Sequence, residues 1–165
     1  MTLKHEFVLG LHPSSRGFGW ILFEGPLSPF DWGTSDIRLN KNRRALADVE
    51  WLLDKYRPRI IAIEAYDDLV SRRSCRIRRL CRATLRRAEL RDIRIHVFTR
   101  DQIRLTFAHK GVRTREGIAA AVAEHIPILQ TRLPKPRKIW VGEHPNQALF
   151  SAAACALTYY AAAPA

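Results

Sequence analysis

Apolar residues in this chain come first in short unbroken runs and later at helical spacing. Residues 7–11, FVLGL, form a run suited to a buried strand. PSSRG supplies turn formers, and GFGWILFE at 17–24 makes a second run, so the two are expected to pair as a hairpin. FDWGTSDIRL at 30–39 predicts a third strand. In ALADVEWLLDKY, 45–56, Ala45, Val49, Leu52 and Leu53 recur with a helical period, and Pro58 ends the helix. RIIAIEAY at 59–66 is a continuous β-branched run, the pattern of a central strand buried on both faces. Its apolar part closes on Glu64.

A long amphipathic helix is predicted over 69–91. Val70, Ser74, Ile77, Cys81, Leu85 and Ala88 step by three or four along one face. Arg72, Arg73, Arg76, Arg79, Arg82, Arg86 and Arg87 fill most of the other half. IRIHVF, 93–98, predicts a fifth strand. Thr99 followed by Gln102 matches a capping box, opening a short helix to about residue 108. HKGVRT reads as a loop, and REGIAAAVAEHI, 115–126, as a helix stopped by Pro127. RLPKPRK, 132–138, is an extended basic loop. Pro145 suits the first turn of a last helix ending near residue 161. The order is three strands, then helix, strand, helix, strand and further helices, without a repeat or linker. That alternation implies an α/β domain spanning 1–165, with parallel pairing in its second half.

Composition narrows the function. The chain has 165 residues, 47 % of them hydrophobic, enough for a proper core. The most apolar stretch, ALFSAAACALTYYAAA, is Ala-rich and reads as a buried helix rather than a membrane span. MTLKHEF lacks the pattern of a signal peptide, so a cytoplasmic protein is expected. Cys75, Cys81 and Cys155 lack CxxC spacing and are expected as small core residues. The charge changes the picture most: 28 Lys and Arg against 16 Asp and Glu leave a net +12. An excess of this size favours a polyanion, because each neutralised phosphate releases counterions. Genomic bias explains Arg over Lys but not the surplus.

The strands ending near His12 and Glu64 are the two best candidates for the sheet centre. Parallel α/β sheets gather ligands at the carboxyl ends of their strands, which makes these residues expected neighbours. A carboxylate closing IIAIE needs a cation or strong donors nearby, whether a bound metal or a structural arginine. The segment GEHPNQALFS adds Glu143, His144, Asn146 and Ser151, with Glu143 and His144 readable as cap residues or as ligands. Asp67 and Asp68 read best as the acidic start of the Arg-rich helix. Three basic groups are candidate phosphate contacts. The first is the helix face with Arg72, Arg73, Arg76 and Arg79. The second is Arg100, Arg104, Lys110, Arg113 and Arg115. The third is Lys135, Arg137 and Lys138, with Trp140 free to stack on an unpaired base.

Taken in order, these segments resemble RuvC-like nucleases, the Holliday-junction resolvase group of the ribonuclease-H-like superfamily. LGLHPSSRGFGW is similar to the family's first hairpin. YRPRIIAIEAY resembles the segment that carries its glutamate, HVFTRDQIRLTFAHKGVRTREGIAAAV its next strand and helices, and FSAAACALTYY its closing helix. The resemblance implies a five-stranded mixed sheet, antiparallel over its first three strands and then parallel, with helices on both faces. It also implies two carboxylate-held divalent cations, Mg²⁺ or Mn²⁺, and hydrolysis of branched DNA in recombination and repair. A homodimer is implied by it alone, and a related RNA-acting group leaves RNA open as a substrate. Actin-like ATPases share the first hairpin but need a far longer chain.

The departures from the family pattern carry the most information. The family's first aspartate falls on His12, its closing-helix aspartate on Ser151, and the aspartate one turn earlier on Ala148. Only Glu64 matches. The expectation is therefore a nucleic-acid-binding protein, DNA before RNA, with lost or severely weakened nuclease activity. The alternative is an active metal-dependent endonuclease with swapped ligands. There His12, Glu64 and either Glu143 or His144 would hold a softer metal, with His12 or Ser151 beside Glu64 in the catalytic group.

Overall fold

The computed structural model describes residues 6–67, 73–138 and 140–163. Five strands form one sheet: β1 (Val8–Ser14), β2 (Gly17–Gly25), β3 (Ser28–Asp36), β4 (Ile60–Glu64) and β5 (Arg94–Phe98). Their order is β3-β2-β1-β4-β5. β1 pairs antiparallel with β2, and β2 with β3; β1 pairs parallel with β4, and β4 with β5. Five helices accompany them: α1 (Lys41–Tyr56), α2 (Cys75–Glu89), α3 (Arg100–Thr106), α4 (Arg115–His125) and α5 (Asn146–Ala162). The mixed sheet with helices on both faces is the one expected.

The period-2 alternation of the strands sorts their residues between two cores. Leu9 and Leu11 of β1 with Ile61 and Ile63 of β4 join α1 and α2 through Val49, Leu53, Leu80 and Leu85. Val8, Ile60 and Ala62 join α3, α4 and α5 on the opposite face. Each large apolar side chain removed from water in this way contributes about 1.5–3 kcal/mol. By the same alternation His12 and Glu64 fall on the α5 face.

α5 lies very close to the first hairpin because both surfaces are small. A Cβ added at Gly10 would stand 2.2 Å from the Ala152 carbonyl oxygen, and one at Gly19 would stand 2.2 Å from the Ala148 carbonyl carbon. The Ala stripe of α5 therefore packs backbone to backbone on β1 and β2. This contact carries the start of α5 to the carboxyl end of β1.

Several boundaries differ from those the sequence predicts. β1 runs on through His12 to Ser14, since His12 pairs with Gly19 and Pro13 with Phe18. The turn is correspondingly shorter. α2 begins at Cys75, six residues later than 69, because the Ser74 side chain accepts a hydrogen bond from the Ile77 backbone N–H at 3.3 Å and caps it. Ser74 is thus a cap and not a member of the buried face; Leu80 and Thr84 extend that face instead. Val70, Asp68 and Arg72 lie outside the described residues. Cys81 and Cys155 are core residues as expected, but Cys75 is exposed, at the first turn of α2. The capping box at Thr99 and Gln102 forms as predicted. Among the described residues no helix is long and apolar enough to cross a membrane.

Candidate functional site

Parallel pairing sets Leu11 opposite Ile63, so the next residues along, His12 and Glu64, are neighbours. The His12 Nδ1 lies 3.7 Å from Glu64 Oε2. His12 is 4 % exposed. Between and above the two sits the guanidinium of Arg73, from the segment leading into α2. Its Nη2 is 3.2 Å from Glu64 Oε2, and its Nη1 donates to the Pro13 carbonyl at 2.9 Å. The same Nη2 lies 3.1 Å from His12 Nδ1 and 3.2 Å from Nε2. An atom nearly equidistant from both ring nitrogens is on the lone-pair axis of neither. The guanidinium therefore covers the imidazole face, as planar Arg does with aromatic rings. The other oxygen of Glu64, Oε1, accepts from Arg100 Nε at 3.3 Å.

These contacts determine the charge of His12. Burial lowers its pKa well below 6.5, and the cations Arg73, Arg115 and Arg100 lower it further. The imidazole is neutral, so the short approach to Glu64 is no ion pair. A pH dependence of stability follows. Below pH 6.5 the unfolded chain takes up a proton at His12 that the folded chain refuses. The unfolded state then binds more protons, and stability falls as pH drops, until the depressed folded pKa is reached. Above about pH 7 this contribution vanishes. Denaturant unfolding between pH 7.5 and 4.5 is expected to show this slope, and His12→Phe to flatten it. An unchanged slope in the variant would show that other groups carry it.

The donor set does not suit a pair of hard divalent cations. Such ions need several oxygen ligands each. Beside His12 stands one carboxylate, Glu64, and guanidinium N–H groups already occupy both its oxygens. Among the described residues no three His, Cys, Asp or Glu side chains group as a metal site. Glu143 turns to Arg115, Oε1 to Nη1 at 3.1 Å. His144 Nδ1 accepts the Asn146 backbone N–H at 3.1 Å, just before α5. Among the described residues neither Glu143 nor His144 joins His12 and Glu64 in a metal-binding group. Nor is the Cys155 thiol a ready nucleophile, since burial, and then Glu64, push its pKa up.

Beside this polar cluster lies a cavity of about 320 Å³ whose lining includes Glu64, Arg100, Arg104, Arg113, Arg115, Gln147 and Ser151. Ser151, expected next to Glu64, does share this cavity with it. Gln147, one turn earlier on α5, was not singled out from the sequence; its only signal there is its spacing from Ser151. The basic residues divide into two kinds. Arg73 and Arg76, expected as phosphate contacts, turn inward instead. Arg73 finds Glu64, and Arg76 donates to the Ser14 carbonyl and to Asn42 Oδ1. Buried acceptors at the hairpin draw them in, because unsatisfied polar atoms there would be costly. Arg79, Arg104, Arg113, Arg115, Lys135, Arg137 and Lys138 remain exposed, as does Lys110, whose Nζ pairs with Glu124 at 3.2 Å. Trp140 is 78 % exposed, with Lys138 Nζ 5.3 Å from its ring centre. Arg72 lies outside the described residues.

No protein-family profile matches this sequence, and no curated protein sequence does. Solved structures do match. The Thermus thermophilus RuvC structure superposes with a TM-score of 0.68 at 19 % identity, covering 93 % of this chain and 92 % of that one. T. thermophilus RuvC in complex with a Holliday junction substrate gives 0.69 at 18 % identity, covering 94 % of this chain and 92 % of that one. This chain, with its mixed sheet in the order β3-β2-β1-β4-β5, thus has a RuvC-like fold.

Proposed function

We propose that this chain binds branched or structured nucleic acid, DNA in preference to RNA, and does not cut it. The observation that carries the reading is Arg73. Its guanidinium lies against Glu64 and His12, supplying the positive charge that a carboxylate closing a buried strand requires. A resident cation of this kind leaves neither charge deficit nor free oxygens to recruit a metal. The Holliday junction bound to T. thermophilus RuvC, a structural neighbour over nearly the full chain, favours a four-way junction as ligand. The exposed Arg and Lys side chains suit its phosphates.

The test is fluorescence anisotropy with labelled four-way, flapped and linear DNA and RNA counterparts. Binding of the four-way junction is expected to be unchanged by EDTA. It should weaken about a thousandfold between 50 and 200 mM salt if some six phosphates are contacted. No cleavage should appear with Mg²⁺, Mn²⁺ or Zn²⁺. Mn²⁺- or Zn²⁺-dependent cutting that disappears in Glu64→Gln would replace this reading with the swapped-ligand nuclease. Absence of binding to every probe would remove the nucleic-acid role itself.

A further inference from the structure

The cavity next to Glu64 has more in it than a former cleavage site needs. Its volume, about 320 Å³, is at the small end of the range for ligand pockets. Part of its lining is apolar: Ile103, Ile118, Ala119, Phe150 and Ala154. Four guanidinium groups, Arg100, Arg104, Arg113 and Arg115, also line it. Against them stand Glu116 and Glu64, the second already neutralised by Arg73 and Arg100. Arg113 makes no side-chain hydrogen bond or ion pair among the described residues, whereas Arg115 is held by Glu143.

Gln147 is the decisive side chain. It is 7 % exposed, it lines the cavity, and its amide has no hydrogen-bond partner among the described residues. The side chain is held in place by packing while its amide stays open to the cavity, free to pair with a ligand that enters. Ser151, one turn on, lines the same cavity. An inorganic anion would use the arginines but not the apolar wall. A nucleotide uses all three elements. Its base covers apolar surface, its edge pairs with an amide, and its phosphate meets guanidinium groups.

Resting on the nucleic-acid reading above, we infer that this cavity takes one unpaired nucleotide of the bound strand. The Gln147 amide, a donor beside an acceptor, pairs with the base edge. Adenine, with its amino group beside a ring nitrogen, offers the matching pattern. Arg104 and Arg113 hold the adjoining phosphate. The pocket thereby makes a metal-free cleft selective for distorted over fully paired nucleic acid.

The test compares two duplexes, one with a single bulged adenosine and one with an abasic bulge at the same place. The wild-type chain is expected to bind the adenosine bulge about tenfold more tightly. Gln147→Leu, close in size, should shrink that preference while still binding both probes. Arg113→Ala should weaken both alike. Equal wild-type affinity for the two duplexes overturns the inference and leaves nucleic-acid binding standing; this comparison needs no variant. A preference undiminished in folded Gln147→Leu also overturns it. Tight binding of adenosine monophosphate without discrimination between the duplexes would make the pocket a free-nucleotide site and overturn the strand reading. Failure of every nucleic-acid probe to bind would overturn the inference together with the reading beneath it.

Discussion

A chain carrying Arg73→Ser, His12→Asp and Ser151→Asp together is expected to gain Mg²⁺-dependent cutting of four-way junctions, whereas His12→Asp with Ser151→Asp alone is not. The sequence alignment suggests that the two aspartates suffice, because they restore the positions where the resemblance places carboxylates. The structure adds a third requirement. Arg73 Nη2 is 3.2 Å from the one native carboxylate of the set. Two unit charges about 4 Å apart interact by roughly 4 kcal/mol at an effective dielectric of 20, so a divalent ion beside that guanidinium is opposed by about twice as much. Even two new carboxylates would first form ion pairs with the resident arginine. Removing it frees the oxygens of Glu64 and the site of positive charge at once. Calorimetric Mg²⁺ titration and junction cleavage read the outcome. Neither uptake nor cutting in a folded, DNA-binding triple variant would count against the alignment of His12 and Ser151 with the family's acids. Full activity in the double variant would show that Arg73 swings clear and is no barrier.

Glu64→Gln is expected to lower stability by about 3 kcal/mol, the low end for breaking a buried ion pair from one side. In a chain of this length that is about 9 °C in melting midpoint. The direction is informative. In a site built from clustered carboxylates the acids repel each other when metal is absent, so neutralising one raises stability. Here the side chains of Glu64 and Arg73 are both 12 % exposed, and the change would leave a nearly buried guanidinium short of its counter-charge. Arg100 adds little to the estimate because its side chain is half exposed. Glutamine keeps one acceptor oxygen, which is why the low end of the range applies. Thermal melts in EDTA measure the sign directly. A rise in midpoint would mean that Glu64 is strained by neighbouring negative charge, as in a functional metal site.

Much of this fold was readable from pattern alone. Short apolar runs set the strands, and the Glu64 run was continuous because both its faces are covered. The Thr99–Gln102 capping box marked a helix start to the residue. The errors lie where short-range chemistry outweighs periodicity. Ser74 has the spacing of a core residue, yet its hydroxyl is worth more as a cap, so α2 starts late. His12 reads as the end of a run, but pairing with Gly19 keeps it inside the strand. Cys75 was misplaced in the core because missing CxxC spacing argues against a metal site or disulfide without showing which cysteines are buried.

The sequence by itself determined which of the implied ligands are absent. Histidine, serine and alanine stand at the three positions where the resemblance calls for aspartate, and Glu64 is the one match. It also determined the surplus of positive charge. Only the tertiary structure decided where that charge goes. Arg73, Arg76 and Arg79 share one Arg-rich segment and look alike in sequence, but two turn inward and one stays in water. The first hairpin presents Pro13 and Ser14 carbonyls beside Glu64, and buried acceptors hold guanidinium groups more strongly than solvent does. A linear pattern records that a side chain is charged. Whether it serves as a counter-ion or as a phosphate contact depends on which unsatisfied atoms the folded chain brings within about 3 Å.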